Sequence, residues 1–79
     1  MNEEMIAKKI QKEVCIPEVA VKNVMAWGSA GCEQRIADGK AKMEAMVAAG
    51  NWTESNKIHY EEQKAAIEKA AEILKKYGR

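Results

Sequence analysis

Seventy-nine residues, 13 of them Lys or Arg and 12 Asp or Glu, with 47% apolar side chains, describe one small domain around one modest core. A chain of this size buries only about 60% of the surface its unfolded form exposes, which excludes a second domain and leaves little room for an enzyme pocket of several hundred Å³. Balance also holds regionally, with three acids and three bases in 1–16, one of each in 17–31, three of each in 32–50 and five against six in 51–79, so no segment is the basic arm of a phosphate-backbone binder.

The first predicted element runs over 3–14. Ile6, Ile10 and Val14 recur every four residues, Asn2 supplies a cap, and Glu3 and Glu4 suit the positive end of the helix dipole. Glu4 with Lys8 and Lys9 with Glu13 are predicted ion pairs one turn apart on its wet side. Pro17 pushes Ile16 out of helical geometry and is comfortable at a first helical position, so a second helix is expected over 17–27, with Glu18 and Lys22 paired on it. Ala20, Val24 and Trp27 form its apolar stripe, flanked by Val21 and Met25.

Gly28-Ser29-Ala30-Gly31 is the clearest break, because two glycines in four residues weaken a helix by about 1 kcal/mol each. A turn there would divide the domain into 1–27 and 32–79. The alternative is a small-residue contact inside a longer helix.

Beyond the break, Cys32, Ile36, Gly39, Met43, Met46 and Gly50 step by three and four. So do Tyr60, Gln63, Ile67, Ala70, Leu74 and Tyr77. Between the two runs, Gly50 suits a helix C-terminus and Thr53 an N-cap, and so short a connection predicts an antiparallel hairpin. Lys57–Glu61, Lys64–Glu68 and Glu72–Lys76 are expected ion pairs on its solvent face. The expectation for the whole is an all-α bundle of three to four helices, two short N-terminal ones packed on a C-terminal antiparallel hairpin.

Few residues invite chemistry. A metal would need Cys15, Cys32 and His59, whose spacing lacks the paired ligands of structural zinc sites, so no metal or other cofactor is expected. The glycine segment lacks both the phosphate-loop and the nucleophile-elbow pattern. His59, next to Tyr60, Glu61 and Glu62, reads as a surface residue, and no enzyme is predicted. The opening residues lack the basic start and apolar run of a secretory signal, and no stretch approaches a membrane span. Reduced thiols, a cytoplasmic location and no membrane partner are therefore expected.

The segments IAKKIQKEV (6–14) and IPEVAVKNV (16–24) resemble the opening helices of Tex-family transcription accessory proteins. The resemblance covers roughly a quarter of the chain and implies a helical amino-terminal module of a larger nucleic-acid-associated protein. From 27 to 40 the chain departs from the family's aromatic and basic continuation, and no functional residue carries over.

Two function classes follow. In the preferred one the chain is a non-enzymatic module that binds a protein or its own copy, with Val21, Met25, Trp27, Met43, Met46 and Trp52 as candidate contacts, since Trp and Met are frequent at interfaces. In the alternative the first two helices form a helix-turn-helix-like nucleic-acid binder that presents Lys8, Lys9, Lys12, Lys22, Asn23 and Lys40.

Overall fold

A computed structural model describes residues 2–79. Helix α1 spans Glu3–Val14, and the Asn2 Oδ1 accepts from the Met5 N–H at 2.9 Å, satisfying a donor that the helix cannot. Cys15 closes it in the left-handed conformation at φ 58, ψ 45, and its N–H donates to the Gln11 carbonyl. Of the predicted ion pairs on this helix both form, Lys8–Glu4 at 3.5 Å and Lys9–Glu13 at 3.9 Å.

Helix α2 spans Glu18–Ala48. Pro17 is not its first helical residue, as the sequence suggested, but its N-cap: at φ −61, ψ 155 its ring geometry suits an extended residue as well as a helical one, and its carbonyl receives the Ala20 and Val21 N–H groups. The four-residue break shrinks to one residue. Gly28 alone leaves helical geometry, at φ 72, ψ 178, and divides α2 into a first arm (18–27) and a second arm (29–48). Gly31 is helical, but it lets the first arm pass close, since a Cβ there would come within 2.7 Å of the Trp27 Cβ.

Helix α3 spans Glu54–Lys76, and the Thr53 Oγ1 caps it by accepting from the Asn56 N–H at 3.1 Å. Both long helices end in the same closure. Asn51 donates to the Met46 carbonyl and Gly50 to that of Val47; Arg79 donates to the Leu74 carbonyl and Gly78 to that of Lys75. Gly50 and Gly78 take the positive φ this motif needs. Glu33 on α2 is ion-paired with Lys75, while Gly39 lies against Tyr60, so the second arm and α3 run antiparallel.

The core is apolar throughout: Ile6 and Ile10 from α1, Val21 and Val24 from the first arm, Cys32 from the second, and Ala70, Ala71, Ile73 and Leu74 from α3. Every one of these on the hairpin lies in its half nearest Gly28. Toward the Trp52 end the predicted seam positions Gly39, Met43, Met46 and Tyr60 are only half-buried, as is Ile36 nearer the kink, and Gln63 and Gly50 are exposed. The seams are real, but without a third layer two helices cannot close a core.

The C-terminal residues tie the chain ends together. The Arg79 carbonyl accepts the Ser29 N–H at 3.0 Å, a donor that the kink at Gly28 has freed, and its guanidinium is ion-paired with Glu3. Lys75–Glu33 and Arg79–Glu3 thus cross between elements, whereas the expected pairs Glu18–Lys22, Lys57–Glu61, Lys64–Glu68 and Glu72–Lys76 are not closed among the described residues. Exposed pairs one turn apart are worth only about 0.3–0.5 kcal/mol, too little to order two long side chains by themselves. Among the described residues no helix is long and apolar enough to cross a membrane.

Candidate interaction surface

A concavity of about 570 Å³ forms a groove between the N-terminal segments and α3. One wall is the corner Val14-Cys15-Ile16-Pro17 and the first-arm face of Ala20, Asn23, Val24 and Trp27. The other is the α3 stripe His59, Glu62, Gln63, Ala66 and Ile67. That stripe steps by three and four, as a helix face must.

A second hollow of about 210 Å³ continues it along the hairpin toward the Trp52 turn, lined by Lys42, Met43, Met46, Trp52 and Tyr60. His59 and Gln63 line both. They form one groove, deep where it meets the corner and shallow over the half-buried methionines. Trp52 stands edge-on to Tyr60, with ring centroids 5.8 Å apart and planes at 76°, a favourable geometry for two quadrupoles.

Five of the six candidate protein contacts are accessible. Met43, Met46 and Trp52 line the shallow part and Trp27 the deep part, its ring also carrying the Arg35 guanidinium at 4.5 Å; Met25 is half-buried against the core. Val21 is the correction. At 4% exposure it belongs to the core, because the kink turns that face of the first arm inward, and it presents no surface to a partner.

The basic candidates differ in their surroundings. Lys8 is ion-paired with Glu4. Lys9 lies over the Tyr77 ring at 5.7 Å, and Tyr77, with a lesser effect from Glu13, holds its ammonium above the ordinary value. Asn23 opens instead onto the groove beside His59 and Glu62. Lys12, Lys22 and Lys40 are exposed.

Cys15, Cys32 and His59 do not converge either, and among the described residues no group of three or more His, Cys, Asp or Glu is placed to hold a metal. Cys32 is fully buried; burial, and secondarily the Glu33 carboxylate, push its thiol above the ordinary range. Cys15 shares the groove with His59, but its Sγ turns back to the Lys12 carbonyl at 3.5 Å rather than forming a nucleophile–base pair.

Sequence reasoning missed the groove's α3 wall. His59, Glu62 and Ala66 repeat at helical spacing beside the Tyr60–Gln63–Ile67 seam, a signal that the periodicity carried but that only the position of the N-terminal corner turns into a cleft. Compared with known proteins, the chain matches no family model, no curated protein and no solved structure.

Proposed function

We propose that this chain is a non-enzymatic helical interaction module that binds a protein along the groove on its hairpin. In this reading α1 and the first arm of α2 are two short helices laid over the half of the hairpin nearest Gly28, and the uncovered half is the working surface. One observation carries it: seam residues that would be buried in a closed bundle, Met43, Met46 and Tyr60, stop at half-burial and line the hollow beside Trp52. Methionine side chains adapt to irregular partners, and Trp52 at the turn supplies a large rigid anchor.

The test compares the wild-type chain with Met43→Asp, which places a charge in the shallow groove without touching the buried core. The wild type is expected to associate, with itself or with a captured protein, and Met43→Asp to abolish this at unchanged helicity by circular dichroism. A wild type that associates with nothing, or an association indifferent to the substitution, contradicts the reading.

A further inference from the structure

Resting on the interaction-module reading, we infer that the occupant of the groove is a second copy of this chain, joined antiparallel about a two-fold axis at His59–Tyr60. Area is the first argument. A compact monomer of 8.8 kDa exposes about 4,800 Å². This chain exposes 5539 Å², and its 46 × 20 × 16 Å outline shows the cause, a hairpin that outruns its cover. The surplus of about 700 Å² is close to the roughly 800 Å² that each partner contributes to a standard interface.

Register is the second argument. In a two-fold interface each contact occurs twice, so groups on one copy must find their complements at mirrored distances from the axis. The groove carries the acid Glu62 toward the corner and the base Lys42 toward the turn, and neither is ion-paired among the described residues. Since Gly39 lies against Tyr60 in the antiparallel pair, Lys42 is level with Lys57, and the midpoint between Lys57 and Glu62 falls at His59–Tyr60. An axis there brings each Glu62 level with the partner copy's Lys42 along the hairpin.

Shape gives the same axis independently. The turn tip at Trp52 and the deep notch beside Ala66, walled by Val14, Ile16 and Pro17, are also mirrored about His59. Each Trp52 tip would enter the other copy's notch, and the two uncovered hairpin halves would close into four helices. A net charge of +1 leaves little repulsion between copies.

Sedimentation velocity of the full chain over about 2 to 200 μM, a window that resolves micromolar affinities, reads the outcome. Wild type is expected to pass from monomer to dimer. Trp52→Ala, Glu62→Lys and Lys42→Glu should each weaken dimerisation by about 10-fold or more, each acting at two symmetry-related places. The charge-swapped double variant, Glu62→Lys with Lys42→Glu, should recover to within about threefold of wild type, because the pairs are restored with signs reversed. All three sites lie outside the core, and circular dichroism checks that each variant folds.

A wild type that stays monomeric, a dimer indifferent to these substitutions, or additive losses in the double variant would overturn the second-copy proposal. If the monomeric chain still captures another protein in a Met43-dependent way, the interaction-module reading survives and only the identity of the occupant falls. If neither association occurs, both fall.

Discussion

Cys32 shows how much one side chain reports about this fold. It is fully buried where the second arm of α2 begins, among Val21, Val24 and Leu74 of the core cluster, and burial pushes its thiol above the ordinary range. In the folded chain the thiol therefore holds its proton to higher pH than in the unfolded one. The ammonium groups of Lys9 and Lys75 are shifted the same way, Lys9 by Tyr77 and Lys75 by its hydrogen bond to Glu33, and being open to solvent they add only weakly. For all three, the native preference is complete below the unfolded pKa and is lost as pH rises through the folded one. Thermal stability should accordingly be flat from about pH 7 to 8.5 and fall above about pH 9, with Cys32→Ala flattening much of that decline. Melting followed by circular dichroism against pH checks this, and a melting temperature that rises between pH 9 and 10 would contradict it.

At the scale of elements, Gly28 decides the architecture. Its φ of 72 with ψ 178 is open essentially to glycine alone, and an added Cβ would meet the Arg79 carbonyl oxygen at 2.9 Å. Gly28→Ala should cost about 1–3 kcal/mol, a large part of the stability of a domain this small, and chemical denaturation measures it. A neutral effect would mean that the kink does not require glycine. Much of the element pattern was legible beforehand. The 3–14 helix, the caps at Asn2 and Thr53 and the glycine closure at Gly50 follow from local side-chain and backbone chemistry that operates within four residues. Less legible was how one glycine of the pair would bend the chain while Gly31 stayed helical, since that depends on Arg79 arriving from the far end of the sequence. The burial of Val21 and the groove beside His59 were hidden for the same reason: both depend on the direction in which the first arm leaves the kink.

For the whole molecule the governing fact is asymmetry of cover. The core is built at the Gly28 end, where α1, the first arm and the chain ends meet. The Trp52 end is a two-helix structure whose apolar seam stays half open. Isolated helical pairs of this kind are marginal in water, because too little apolar area is removed to offset backbone ordering. An uncovered end should therefore open readily unless something covers it.

Amide hydrogen exchange at about 5 and 200 μM, concentrations that straddle a micromolar association, tests this most directly. Amides around Ile6, Ile10, Cys32 and Leu74 should be strongly protected at both concentrations, while those around Met43, Met46 and Tyr60 should exchange fast in the dilute sample and gain protection in the concentrated one. Equal protection at both ends of the hairpin, unchanged by concentration, would contradict the account.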